Sequence, residues 1–215
     1  MAVVGKSGPG KGTSTTFAVG AFAGPWDGLS EDEYKTRVLT AGRGLNETDM
    51  VDVAAAEAPD RFRDLIDWGL TTKSAPGVFM ALPADDPGER IPVWGREIVL
   101  CMVAKAKEIG VRFVDNLVVR SIASGEDGVC LRAYGARQKQ WLVLRGGAAI
   151  LAAGGSGALF LHHDNPKRMG GDSHTLAYEA GCVMQDLEFV QFYPVAIAEP
   201  DKPVFLIEPE GADLG

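Results

Sequence analysis

Histidine and cysteine are both scarce, at 3 each in 215 residues. Cys101, Cys130 and Cys182 stand far apart with no C-x-x-C spacing, which excludes a zinc ribbon and a disulfide framework. They read as buried free thiols of a reducing, cytoplasmic compartment. His162 and His163 adjoin Asp164, but neighbouring histidines do not readily share one ion and no third ligand is suitably spaced. No metal is expected, and both histidines read as solvated loop residues. No apolar run reaches membrane-spanning length, and no signal-type apolar segment stands near Met1. Basic excess is missing as well: 21 Lys and Arg face 29 Asp and Glu, for a formal net charge of -8. Such a chain is a poor binder of phosphate backbones, so no nucleic-acid partner is expected. There is no internal repeat and no low-complexity tract.

Glycine, in contrast, is plentiful at 27 residues, which points to tight turns or close backbone approach to a ligand. Ala2 to Val4 read as a short strand. Ser30 and Glu33 form a capping box that predicts a helix to about Ala41. A second helix is expected over Glu47 to Ala58. Pro59 then opens a third, with Phe62, Leu65, Ile66 and Trp68 on one side and Gly69 as its stop. Residues 70–93 read as loop with short extended pieces, and Arg96 to Ile109 as a helix ended by Gly110. From Val111 the period changes to that of strands: Val111 to Val114, Leu117 to Ser124, Gly128 to Tyr134 and Gln140 to Leu144, with a hairpin turn at Glu126-Asp127-Gly128. Ala148 to Ala152 has the composition of a fully buried strand. It ends at Gly154-Gly155-Ser156-Gly157. Asp172 is expected to cap a helix over His174 to Ala180, and Val183 to Phe192 to be extended. The chain is α/β, with a ligand site at strand ends.

The opening VVGKSGPGKGTST invites comparison with a triphosphate-binding loop. Gly5, Gly10 and Lys11 fit G-x-x-x-x-G-K-[ST], but Gly12 stands in the eighth position. Such a loop also needs a strong helix starting at its Lys, and TSTTFAVGAFAGP is β-branched and interrupted by glycine. The triphosphate reading is therefore disfavoured.

Separated stretches fit another pattern in the right order: VVGKSGPGKGTSTTFAVGAFAG, WLVLRGGAAILAAGGSGALF, and the run from NPKRMGGDSHTLAYEAG to EFVQFYPV. Together they resemble the flavoprotein-subunit family of succinate dehydrogenase, fumarate reductase and L-aspartate oxidase. The resemblance covers nearly the whole chain, and its last block is the most specific part. It implies a partial Rossmann-like FAD-binding domain with a β-meander, lacking the family's first strand and its capping domain. On that reading residues 1–215 are a single incomplete domain, with 196–215 the start of a transition toward the cap.

The resemblance also assigns residues. Lys6 matches the family Lys after the second strand. Ser14, Thr15 and Thr16 match hydroxyl residues lining the flavin, and Gly20 and Ala21 the pair over its ring. Val119 matches the residue whose backbone meets adenine. Ala153, Gly154 and Gly155 match the A-T-G-G strand end, and Asp172 an Asp that accepts hydrogen bonds from the cofactor. Tyr193 and Glu208 fall nearest the substrate, a small carboxylate. Taken singly, Asp172 serves as well as an N-cap, Lys6 as a solvated lysine and Ser14 to Thr16 as turn hydroxyls.

There are departures. The family's G-x-G-x-x-G is absent, Gly5 replaces a residue associated with a ribose contact, and Tyr193 stands where the family has a His. A tyrosine donates one hydrogen bond but carries no positive charge. No counterpart exists for the Arg proton donor. The His that attaches flavin covalently in the dehydrogenase branch is also missing, with Ser14 near its place, so FAD would be non-covalent. The expected activity is hydride transfer between flavin N5 and a dicarboxylate. The expected partner is an electron-transfer subunit, and little turnover is expected from this chain alone. Exposed sheet edges predict self-association. The alternative is a non-catalytic α/β binding or interaction module that has lost FAD.

Overall fold

The computed structural model describes residues 1–83 and 94–192, together with the backbone of 196–197 and 205–206. Two compact units emerge. The first comprises Met1 and Thr15–Arg112, the second Ala2–Ser14 and Phe113–Gly215.

In the first unit, α2 (Glu31–Gly42) begins with the expected capping box. The Ser30 side chain accepts from the Glu33 N–H, and the Glu33 carboxylate accepts from the Ser30 N–H at 3.1 Å. These backbone and hydroxyl donors hold the Glu33 carboxyl below its ordinary pKa. Where two helices were expected, residues Thr48–Asp67 form one continuous helix, α3, with Pro59 inside it. A mid-helix proline removes one backbone bond and costs roughly 3 kcal/mol. Here a continuous apolar stripe, Val51, Ala55, Phe62 and Leu65, is buried along both halves and offsets that loss. Ile66 and Trp68 lie off this stripe and are exposed, contrary to the sequence expectation. A sheet of order β2-β4-β3 unites β2 (Ala21–Ala23), β3 (Thr72–Ala75) and β4 (Val78–Ala81), all pairs antiparallel. The core gathers Phe62, Leu65, Leu70, Phe79, Ala81 and Ile98, the last from α4 (Gly95–Glu108). Phe62 stacks on Phe79 at 4.7 Å, and Trp26 meets both rings edge-on. Each such buried side chain contributes about 1.5–3 kcal/mol.

In the second unit, β1 (Ala2–Val4) pairs with β5 (Arg112–Val114). A three-stranded antiparallel meander follows: β6 (Leu117–Gly125), β7 (Gly128–Gly135) and β8 (Gln140–Gly146). Helix α5 (Asp172–Glu179) packs against β6, burying Leu176. Strands β9 (Ala196–Ile197) and β10 (Phe205–Leu206) pair antiparallel with each other. The 196–215 transition otherwise lies outside the described residues.

Several expectations are corrected here. Ala148 to Ala152 forms no strand and is exposed, Ile150 at 92%. A fully buried strand needs a pairing neighbour, and none of the described strands offers one to this segment. Val183 to Phe192 is not a continuous extended stretch. Asp186 adopts φ 57°, and its carbonyl accepts from the Phe189 N–H at 3.2 Å, which turns the chain. The cysteines are free but not fully buried: Cys101 and Cys130 are half-buried and Cys182 is exposed.

Candidate functional site

The lysine two residues beyond the first strand is held in place through the backbone of Gly5. The Gly5 N–H donates to Val114 O and the Gly5 carbonyl accepts from Leu117 N–H, both at 3.0 Å. This fixes Lys6 beside the start of β6. Its ammonium pairs with the carboxylate of Asp172, at the first turn of α5. The helix N-cap is Gly171, in the left-handed region at φ 81°, so Asp172 is not the cap that its sequence context predicts. Glycine takes the turn without steric cost, which frees the Asp172 carboxylate to reach across to Lys6. Both side chains remain about one-third exposed, so the pair has access to solvent and to a ligand.

A third segment joins them. Ser173 Oγ donates to the Gly154 carbonyl, and the Gly171 N–H donates to the Gly155 carbonyl at 3.3 Å. Ala158 N–H donates to Met169 O at 3.1 Å. Residues 154–158 are thus stitched to the lead-in of α5. Gly154 sits at φ 84°, where a side chain would be strained and would meet the Met169 side chain at 2.5 Å, whereas nothing lies within 4 Å of the Cβ positions of Gly155 and Gly170. A ligand can therefore lie against this backbone. His174, in the first turn of α5, has an Nδ1 shielded from solvent with no partner among the described residues.

The second unit therefore brings Lys6, Gly154, Gly155 and Asp172 into one hydrogen-bonded neighbourhood, with exposed Ala153 at its border. Val119 is half-buried on β6, opposite Ala133 and beside a β-bulge. Bulges leave backbone groups out of the ladder, where they are open to other partners. Ser14 begins α1 (Ser14–Phe17), a helix of 4 residues, and is exposed. Its shortness removes the long helix that a triphosphate loop requires at Lys11.

The first unit holds the remaining predicted residues. Thr15 is exposed and Thr16 half-buried on α1. Gly20 is buried at φ 85°, and a Cβ there would stand 2.7 Å from the backbone of Trp94 and Gly95. Its carbonyl accepts from Ala81 N–H at 2.9 Å. Ala21 pairs with Met80 on the neighbouring strand. Tyr193 and Glu208 lie outside the described residues.

Gly171, Ser173 and Met169 were missed by sequence reasoning. The run Gly170-Gly171-Asp172-Ser173 carried the signal: paired glycines before the acid and a hydroxyl directly after it. As chemistry, the cluster offers an ammonium, a carboxylate and open glycine backbone at a helix N-terminus. That set suits a ligand bearing both phosphate and hydroxyl groups.

A family profile described as FAD binding domain matches residues 1–214. L-aspartate oxidase of Streptomyces coelicolor is 30% identical over 221 residues, covering 94% of this chain and 38% of the relative. A fumarate reductase (CoM/CoB) subunit from Methanothermobacter marburgensis is 27% identical over 181 residues, covering 80% of this chain and 33% of the relative. Among solved structures, the Mycobacterium smegmatis Sdh1 complex in the apo form aligns with a TM-score of 0.77 at 24% identity, over 96% of this chain and 39% of that one. This last likeness shows a shared fold. The chain thus spans well under half the length of these relatives. By its match along nearly its full length, the chain belongs to the FAD binding domain family.

Proposed function

We propose that this chain is part of an FAD-dependent oxidoreductase of the fumarate reductase, succinate dehydrogenase and L-aspartate oxidase type. The observation that carries the reading is the Lys6–Asp172 pair set against the Gly154–Gly155 backbone. The residues present fit the cofactor. The unpartnered, shielded Nδ1 of His174 and the open space at Gly155 and Gly170 are what a site built for a polar, extended ligand leaves unfilled.

FAD, when bound, supplies a hydride acceptor and donor at its ring. The chain's own residues bind and orient. Lys6 and the N–H groups at the start of α5 donate toward phosphate oxygens, while Asp172 accepts from a hydroxyl. Gly155 admits the ligand without a Cβ in the way, whereas the space beside Gly154 is taken by the Met169 side chain. The non-covalent reading is supported by Ser14 standing near the place where the resemblance puts the attachment histidine. Tyr193 and Glu208 are assigned to the carboxylate substrate by resemblance alone. The same reading includes a cytoplasmic location, partnership with an electron-transfer subunit, and self-association through sheet edges. Among the described residues no helix is long and apolar enough to cross a membrane.

The test is titration of the purified chain with FAD, read by flavin fluorescence and by thermal stabilisation. Saturable binding that weakens in Asp172→Ala is expected. Reduced flavin held by the chain should then be reoxidised only slowly by fumarate under anaerobic conditions. Failure to bind FAD sinks the proposal. Brisk fumarate-dependent reoxidation would overturn the part that holds this chain inactive alone.

A further inference from the structure

The meander has two unlike faces. The register pairs Tyr134 with Trp141, Arg132 with Val143 and Cys130 with Arg145, so these six side chains share one face. The other face carries Leu117, Ala133, Leu142 and Leu144, of which Leu117 and Ala133 are buried. An antiparallel sheet with one core face normally presents polar residues on the other. Here the outer face presents Trp141 and Val143, exposed at 56% and 57%. Trp141 is braced by Tyr134 at 5.6 Å and by the Arg132 guanidinium at 5.4 Å over its ring.

Charge is segregated in the same place. Residues 117–146 hold Arg120, Arg132, Arg137, Lys139 and Arg145 against only Glu126 and Asp127. The meander is thus net positive in a chain of net charge -8. None of these five cations forms an ion pair among the described residues. Tryptophan, tyrosine and arginine are the residues that dominate protein–protein contact energies. Unpaired arginines around an aromatic centre select a partner of opposite charge.

We infer that the Trp141–Val143–Arg132–Arg145 face is a docking surface for a partner protein that presents an acidic segment with an apolar side chain at its centre. The apolar group packs on Trp141 and Val143, and its flanking carboxylates meet the Arg132 and Arg145 guanidiniums. Braced aromatic geometry on paired strands favours a protein over a membrane, where peripheral binding draws on an amphipathic helix that can submerge its apolar side. The inference uses none of the residues assigned to FAD and stands apart from that reading.

The test uses the full chain and a fluorescently labelled peptide of alternating Glu and Asp with a central Leu, followed by anisotropy. Saturable binding is expected, weakening several-fold between low and physiological salt. The combined variant R132Q/R145Q should weaken binding at least tenfold, and Trp141→Ala about as much. Unchanged circular dichroism and unchanged FAD affinity in these variants would separate loss of docking from loss of fold. The inference is overturned if the acidic peptide fails to bind, or if a Lys-for-acid version binds equally well. It is also overturned if the variants bind as the parent does. Trp141-dependent dimerisation without peptide binding would assign the face to a second copy, and Trp141-dependent sedimentation with phosphatidylserine vesicles would assign it to a membrane. Either result refutes the inference.

Discussion

Replacing Gly20 by alanine separates two roles that the sequence cannot distinguish. By resemblance Gly20 lies over a flavin ring, but in the structure its absent side chain already has a neighbour. A Cβ would meet Trp94 C and Gly95 N, each at 2.7 Å, and Trp94 Cβ at 3.2 Å. The two closest atoms are backbone, so no rotamer change relieves the overlap. Holding alanine at φ 85° costs about 1–2 kcal/mol. Forcing the adjoining backbone apart costs about 1–3 kcal/mol more. A loss of roughly 2–5 kcal/mol is therefore expected without any cofactor, a large share of a domain's typical stability of about 5–15 kcal/mol. Urea denaturation followed by tryptophan fluorescence reads it, because Trp26 sits against Phe62 and Phe79 in the core of the same unit. If Gly20→Ala unfolds within about 0.5 kcal/mol of the parent, the steric reasoning is wrong. The glycine would then be required only by a ligand.

Other outcomes follow from the same geometry. Lys6→Gln should change folding stability by no more than about 1 kcal/mol, since its ion pair is one-third exposed, yet weaken FAD measurably; equal effects in chemical denaturation and in flavin titration would contradict this. Phe79→Ala should destabilise by about 3–5 kcal/mol in the same urea assay, because the ring is fully buried and stacked on Phe62. Ser30→Ala should cost about 1 kcal/mol through loss of the N-cap. Because Glu33 is held below its ordinary pKa of 4.5 when folded, its contribution is complete above that value. It disappears as pH falls through the lower folded value, and a pH series in which Glu33→Gln shows the same acid loss would refute the assignment. Cys182 should be alkylated before Cys101, whose thiol burial pushes up in pKa; mass-spectrometric mapping showing the reverse order would contradict this.

Local chemistry was readable and long-range chemistry was not. The Ser30–Glu33 box, the Gly110 helix stop and the meander turn at Glu126-Asp127 each depend on residues a few positions apart, and each appears where expected. The Pro59 break failed because a proline's penalty is local while the Val51–Leu65 stripe that overrides it is tertiary. The strand expected at Ala148 to Ala152 failed for the related reason that apolar composition does not supply a pairing partner. Asp172 was read as a cap because its true partner, Lys6, lies 166 residues away in sequence. Family resemblance found both residues of that pair; only the fold shows them joined.

The separation between Lys6 and Asp172 bears on when the site can form. In the meander every strand pairs with its immediate successor, so its loops are short and its closure is entropically cheap. The ion pair instead joins the two ends of nearly the whole described chain, and loop-closure entropy opposes it until intervening structure has drawn those ends together. The ligand neighbourhood is thus expected to form late in folding. On that expectation the sheet precedes the place that holds a cofactor, and cofactor added during refolding should not hasten the first appearance of β-structure.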